Sequence, residues 1–287
     1  MNARIIRILS KDYTLLLEDG RRVQAVAMGK LRKSFSPVVG DLVEAQDLGS
    51  TWGIQKILPR KNVLVRPPCA NVDQALIVMS VKDPDFSPAL IDRLTALIVH
   101  AGITPLLCVT KCDLGILPEF EARIQEYEAG PMKVVRTAAN SLNPEVADLF
   151  RDKVTVLTGQ SGAGKSTLLN EINPEFHLET QEISKALGRG KHTTRHSELH
   201  EVAGGLVADT PGFSSLDFTS MTIEDLDDAF PDFEPYLGHC RFNDCIHENE
   251  PDCAVKEAVE AKKIARVRYD NYLDILKLIR EKKESWQ

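Results

Sequence analysis

Three short motifs constrain this chain more than anything else in it: Thr110-Lys111-Cys112-Asp113, then Gly159-Gln160-Ser161-Gly162-Ala163-Gly164-Lys165-Ser166, then Asp209-Thr210-Pro211-Gly212. The middle one fits the spacing G-x-x-x-x-G-K-[ST] without a mismatch. Val154-Thr155-Val156-Leu157-Thr158 before it reads as a buried strand, and Lys165-Ser166-Thr167-Leu168-Leu169 opens a helix. A glycine-rich turn between strand and helix aims successive backbone N–H groups, and the positive end of the helix dipole, at one point. That makes it a phosphate cradle. Gly159, Gly162 and Gly164 permit the curl, and Gln160, Ser161, Ala163 and Thr167 complete the lining. Lys165 is placed for the β- and γ-phosphates, and the Ser166 hydroxyl for Mg²⁺.

The other two motifs also close strands. Asp209 follows Gly205-Leu206-Val207-Ala208 and stands 44 residues after Lys165. An Asp at such a strand end can hold the metal through water, and the Gly212 N–H can meet the γ-phosphate. Residues 188–195 between them are polar, glycine-hinged and without periodicity, the composition of a switch segment. Thr193 or Thr194 can close on Mg²⁺ and the γ-phosphate, and the spacing does not choose between them. His192 and Arg195 are candidates for charge stabilisation from the same loop. Upstream, Asp113 follows the apolar strand 103–109. Its carboxylate can accept paired hydrogen bonds from the guanine N1–H and 2-amino group; adenine lacks that donor pair, and the mismatch would strand a buried charge. Thr110 opens this motif and Lys111 is set along the base plane. Thr137-Ala138, after a strand at 132–136, offers a further backbone contact. A guanine reader upstream of the phosphate loop reverses the usual order of a GTPase chain. The order implies a circular permutation, with every strand in place but joined at different ends.

At 287 residues the chain is long enough for several domains. The first, 1–66, carries five short alternating segments at 4–9, 14–18, 23–27, 42–46 and 53–58, with Asp19-Gly20 as a hairpin turn. These suggest a small OB-type β-barrel. Its charge is opposite to the rest: 12 basic and 6 acidic residues in 1–66, against 23 basic and 36 acidic beyond. A basic cap on an acidic protein fits RNA binding through phosphates, with Lys30, Arg32 and Lys33 in one loop and Phe35 available to stack. The second domain, 67–219, alternates strands at 72–81, 103–109, 132–137, 153–158 and 205–209 with helices at 88–101, 118–129 and after the phosphate loop. Such alternation predicts a mainly parallel sheet covered by helices, with ligands at the carboxyl ends of the strands. In the third, 220–287, Cys240, Cys245, His247 and Cys253 fall within 14 residues. Three thiolates and an imidazole make a closed tetrahedral Zn²⁺ shell, structural rather than catalytic. Cys69, Cys108 and Cys112 are scattered and read as small apolar fillers. From Val255 onward a helical pattern is expected to cover the zinc lobe. No run of 18 apolar residues predicts a membrane span, and a short apolar stretch broken by Arg7 is no signal-peptide core, so a cytoplasmic location is expected.

Together these motifs resemble the circularly permuted GTPases of bacterial small ribosomal subunit maturation, the RsgA (YjeQ/YloQ) family, along essentially the whole chain. The residues that carry the likeness are 159–166, Arg189-Gly190-Lys191-His192-Thr193-Thr194, Asp209-Thr210-Pro211-Gly212-Phe213, and Cys240-Arg241-Phe242 with Cys245, His247 and Cys253. The resemblance implies a late checkpoint factor that uses GTP, Mg²⁺ and one structural Zn²⁺ and binds the 30S subunit and its 16S rRNA. It further implies stimulation by the subunit and departure in the GDP form; a monomer is expected. Phe213 stands where a small GTPase carries the Gln that orients the attacking water, so a slow free enzyme is expected. Three rivals remain at this point: an ATP-using kinase or ATPase, an RNA-binding scaffold with a structural nucleotide, and a permuted GTPase of large-subunit assembly.

Overall fold

The protein is seen in a computed structural model that describes residues 1–29, 36–65, 68–139, 143–173, 198–208, 213 and 216–284. The basic loop with Lys30, Arg32, Lys33 and Phe35 lies outside the described residues, as do residues 188–195 and 209–212. The chain divides into two compact units, one of residues 1–75, 144–157 and 165–214, the other of residues 76–143, 158–164 and 215–287.

In the first unit, five strands close a barrel: β1 (Asn2–Leu9), β2 (Asp12–Leu17), β3 (Arg22–Ala27), β4 (Leu42–Asp47) and β5 (Trp52–Ile57). Their order is β1-β2-β3-β5-β4, with β3 and β5 parallel and the other pairs antiparallel. Period-two alternation builds its core. Tyr13, Leu15 and Leu17 of β2 turn inward with Ile5, Val43 and Ile54. The register slips at Ile6, which lies between the pairs Ile5↔Leu15 and Arg7↔Thr14. That bulge allows two successive isoleucines, Ile5 and Ile6, both to be buried. Asp41 is also fully buried, and holds the Arg60 guanidinium bidentately at 2.6 and 2.8 Å while accepting the Val38 N–H. A hairpin of β6 (Val63–Val65) and β7 (Pro68–Ala70) follows, too short for period-two alternation to announce it.

A six-stranded sheet has the order β10-β9-β8-β11-β13-β12. Its strands are β8 (Gln74–Ser80), β9 (Thr104–Thr110), β10 (Lys133–Arg136), β11 (Val154–Gly159), β12 (Leu199–Val202) and β13 (Gly205–Ala208). β9 pairs parallel with β10, and β11 with β13, while β12 returns antiparallel on β13. β8 is buried at all seven positions, and its residues 75–79 are the continuous apolar run expected of a strand covered on both faces. In the first unit β12 and the residue before it also reach the barrel, through a bridge and ion pair between Arg7 and Glu198 and an ion pair between Arg22 and Glu201. The helices α1 (Pro88–His100), α2 (Pro118–Glu128), α3 (Pro144–Asp148) and α4 (Lys165–Ile172) connect the strands. Ser87 caps α1 by accepting the Leu90 N–H, with Pro88 at the first helical position.

In the second unit the chain after residue 215 forms α5 (Ile223–Asp228), a Cys/His loop, α6 (Ala254–Glu260) and α7 (Arg266–Glu284). The helical stretch expected from Val255 is therefore two helices, not one: Ala261 ends α6 and Lys262 takes a left-handed φ of 57°. α7 packs against α1. Its contact is built on charge. Arg268, 2% exposed, lies between Asp92 of α1 and Asp232, with its guanidinium 4.7 Å from the Tyr127 ring centroid. Asn271 Nδ2 and the Tyr127 hydroxyl donate to the two Asp92 oxygens at 2.6 and 3.0 Å. Among the described residues no helix is long and apolar enough to cross a membrane.

Burial pushes the Asp92 carboxyl up to about 6, against the Arg268 charge that favours its ionised form. Because this folded value lies above the ordinary 3.8, Asp92 stabilises the fold most at acid pH, and that contribution is lost as pH rises from about 4 through 6. Removing the cation should therefore hurt most above pH 6. Arg268→Met is expected to lower unfolding free energy in urea by about 3–5 kcal/mol at pH 7.5, with a smaller deficit at pH 5. A deficit that is absent at pH 7.5, or that grows on acidification, contradicts this account of the α1–α7 contact.

Candidate nucleotide site and metal centre

The phosphate-loop sequence forms a turn between the end of β11 and the start of α4. Gly159 has φ +120°, and a Cβ there would stand 2.1 Å from the Val78 carbonyl oxygen. Only glycine fits. Within the loop the Ala163 N–H donates to the Gln160 carbonyl at 3.3 Å, and Ser161 and Gly162 are exposed. Lys165 and Ser166 open α4, Ser166 buried and Thr167 exposed. Burial lowers the Lys165 ammonium from its usual 10.5 to about 8.

The upstream motif meets this loop directly. Thr110, the last residue of β9, is 4% exposed and its hydroxyl donates to the Ala163 carbonyl at 2.6 Å. Sequence spacing places Thr110 with the base-reading residues; its side chain instead pins the phosphate loop. Lys111 follows in the left-handed region, φ 59°, which turns the chain into a short 3₁₀ segment, Cys112–Leu114. Its ammonium donates to the Asp83 and Lys82 carbonyls in the loop after β8. Asp113 is exposed, and its Oδ1 accepts the Ala139 N–H at 2.9 Å. The end of β10 is tied in as well, since Cys112 N–H donates to the Thr137 carbonyl at 3.2 Å and Thr137 N–H to Val109 at 2.8 Å. Thr137 Oγ1 is buried without a hydrogen-bond partner among the described residues, and Ala138 is half-buried. Three residues of this assembly have no signature in the sequence: Asp83, Lys82 and Ala139. They act through backbone groups, which carry no side-chain signal. His192, Thr193, Thr194, Asp209 and Gly212 lie outside the described residues.

A second cluster forms in the Cys/His loop. The ligand atoms of Cys240, Cys245, His247 and Cys253 all lie within 4.8 Å of one another. His247 Nδ1 stands 3.6, 3.5 and 3.3 Å from the sulfurs of Cys240, Cys245 and Cys253, and Cys240 Sγ is 3.8 Å from Cys253 Sγ. A tetrahedron with Zn–S of about 2.3 Å and Zn–N of about 2.0–2.1 Å has edges of about 3.8 Å between sulfurs and about 3.6 Å between sulfur and nitrogen. The cluster fits that shell. Burial pushes the Cys245 thiol up to about 12, the cost a divalent cation would offset by binding the thiolates. The loop is braced around it: Glu250 accepts the N–H groups of Ile246 and Glu248, and the Tyr269 hydroxyl donates to the His247 carbonyl at 2.6 Å.

A family model described as RsgA GTPase matches residues 57–219. A curated relative from Oceanobacillus iheyensis, small ribosomal subunit biogenesis GTPase RsgA 2, is 46% identical over 287 residues, covering 98% of each chain. The chain belongs to the RsgA GTPase family. The Bacillus subtilis RsgA is 45% identical, again over 98% of each chain. A crystal structure of YloQ, described as a circularly permuted GTPase, matches with a TM-score of 0.86 and 37% identity over 98% of this chain and 95% of that one. YjeQ from Thermotoga maritima matches at 0.85 and 33%, over 97% and 98%. This RsgA-family chain is thus a circularly permuted GTPase. The inverted motif order and the closed barrel expected from the sequence agree with that fold.

The depressed Lys165 value has a consequence for ligand binding in an RsgA-family site. Below about 8 the free chain carries the charge, and above it the ammonium loses its proton, whereas bound phosphates favour the charged form. If Lys165 meets the phosphates as its motif implies, nucleotide binding near and above pH 8 takes up a proton. The affinity for a fluorescent GDP analogue is expected to fall above pH 8 by up to about tenfold per pH unit. A flat profile from pH 7 to 9.5 contradicts it.

Proposed function

We propose that this chain hydrolyses GTP while bound to the 30S ribosomal subunit, assists a late step of its maturation, and leaves in the GDP state. The observation that carries the nucleotide half of this reading is the Thr110–Ala163 hydrogen bond. It sets Asp113 three residues from one end of the bond and Lys165 two residues from the other. The ribosomal half is supported by relatives named for small ribosomal subunit biogenesis. In the proposed site Asp113 reads guanine N1–H and the 2-amino group, Lys111 lines the base, and Thr137 and Ala138 border it. Residues 159–164 and Thr167 surround the phosphates, and Lys165 meets the β- and γ-phosphates. Ser166, Asp209 and Thr193 or Thr194 would hold Mg²⁺, which supplies charge neutralisation at the phosphates. Cys240, Cys245, His247 and Cys253 would hold one structural Zn²⁺.

Phe213 gives the mechanism its direction. It follows Gly212 directly, takes a left-handed φ of 55°, and has no group to orient water. Hydrolysis then needs a group from elsewhere, from His192 or Arg195 or from the subunit. The basic excess of residues 1–66 supports 16S rRNA phosphates as the contact. We place the protein in the cytoplasm as a monomer, the expectation that goes with such a factor.

The test is GTP turnover by the full chain alone, with purified 30S particles and with 50S particles at fixed salt. Stimulation by 30S alone, of the order of 10³-fold or more, is expected, since supplying a missing transition-state group is worth about 10³–10⁵ in GTPases. Fast turnover that 30S leaves unchanged, or stimulation by 50S instead, overturns the reading.

A further inference from the structure

The four cluster residues account for one face of the His247 ring and leave the other unexplained. Nδ1 faces the three sulfurs, so the proton of a neutral, ligating imidazole must sit on Nε2. His247 is 3% exposed, and Nε2 is buried with no hydrogen-bond partner among the described residues. A buried N–H without an acceptor is costly. The carboxylate that faces it belongs to Asp227, on α5, with Oδ2 3.7 Å from Nε2.

Asp227 is itself held. Its Oδ1 accepts the Tyr272 hydroxyl at 2.6 Å, and the same hydroxyl lies 2.8 Å from the Ile246 carbonyl, the residue before His247. Tyr272 is fully buried, packed edge-on against Phe230 and 5.0 Å from the Phe233 ring centroid. The position of α5 is fixed in turn by a capping box, in which Thr222 accepts the Asp225 N–H and Asp225 accepts that of Thr222. A carboxylate on a capped helix, oriented by a buried phenol and aimed at an orphaned imidazole N–H, is what a ligating histidine needs from its surroundings.

We infer that Asp227, oriented by Tyr272, is a positioning residue for the metal centre: it accepts the His247 Nε2–H, selects the tautomer that presents Nδ1 to the thiolates, and sets how tightly this chain holds its metal. The inference rests on the reading of the Cys/His cluster as a zinc site. Ligation at Nδ1 draws electron density from the ring and makes Nε2–H a stronger donor, so the 3.7 Å contact is the one that metal binding strengthens. Exposed Asp228, next along the same helix, is the natural control.

The experiment measures Co²⁺ and Zn²⁺ affinity of the full chain by competition with a chromophoric chelator, following the thiolate-to-cobalt absorption. Wild type and Asp228→Asn should bind equally. Asp227→Ala should keep the tetrahedral cobalt spectrum but lose about 10–100-fold in affinity. Asp227→Asn, which keeps an acceptor oxygen without the charge, should fall between. Tyr272→Phe keeps the ring packing and should weaken binding several-fold, which guards against Asp227→Ala failing to fold. In ¹⁵N spectra the zinc-loaded wild type should show His247 protonated at Nε2, with that proton exchanging faster in Asp227→Ala. Affinity in Asp227→Ala and Tyr272→Phe within twofold of wild type overturns the inference while the zinc reading stands. A wild type that takes up neither metal overturns both.

Discussion

A single buried hydrogen bond, from the Thr110 hydroxyl to the Ala163 carbonyl, joins two motifs 53 residues apart. The chain enters the sheet at β8 and reaches the Thr110–Asp113 motif at the end of β9 before the phosphate-loop sequence. What brings the two together is therefore sheet order rather than succession along the chain. Strand neighbours survive when their connections are cut and rejoined, because hydrogen bonding between strands does not depend on which loop links them. Loss of the Thr110 hydroxyl would remove that tie, about 0.5–1.5 kcal/mol against the loop geometry. Gly159 has the matching role at the other end of the loop, where Val78 leaves no room for a Cβ.

The C-terminal lobe is held to α1 by a different principle. A buried Arg268 between two aspartates, with Tyr127 and Asn271 satisfying Asp92, gives that contact direction that an apolar face would not. Such a pairing adds little net stability over apolar packing, but breaking one side strands a charge. The same lobe carries the Cys/His cluster, so the α1–α7 contact and the Asp227–His247 contact belong to one unit of the fold.

Much of this was legible in the sequence, for identifiable reasons. The glycine spacing of 159–164 and the apolar runs of β8, β9 and β11 are constraints that backbone geometry imposes directly on residue type. The barrel strands declared themselves by alternation, and the Cys/His cluster by its spacing. β12 has little sequence signature: Leu199-His200-Glu201-Val202 has only two apolar residues, and its pairing comes from the tight turn at Ala203-Gly204. α5 is only six residues long, and the capping box of Thr222 and Asp225 is its one mark in the sequence. The break between α6 and α7 has neither Gly nor Pro to mark it. Asp92 and Arg268 look like surface charges in sequence, and only three-dimensional pairing makes their burial tolerable.

The central claim is that one pocket, joined through Thr110 and Ala163, selects guanosine triphosphate through Asp113. Its most direct test is the nucleotide preference of Asp113→Asn, measured as steady-state affinity and turnover with GTP and with xanthosine triphosphate. The account predicts that GTP use falls by at least about tenfold, roughly 1.4 kcal/mol, while xanthosine triphosphate use rises, because the Asn amide can donate to the xanthine 2-oxo group. Unchanged preference for GTP, or equal loss of both nucleotides, contradicts it.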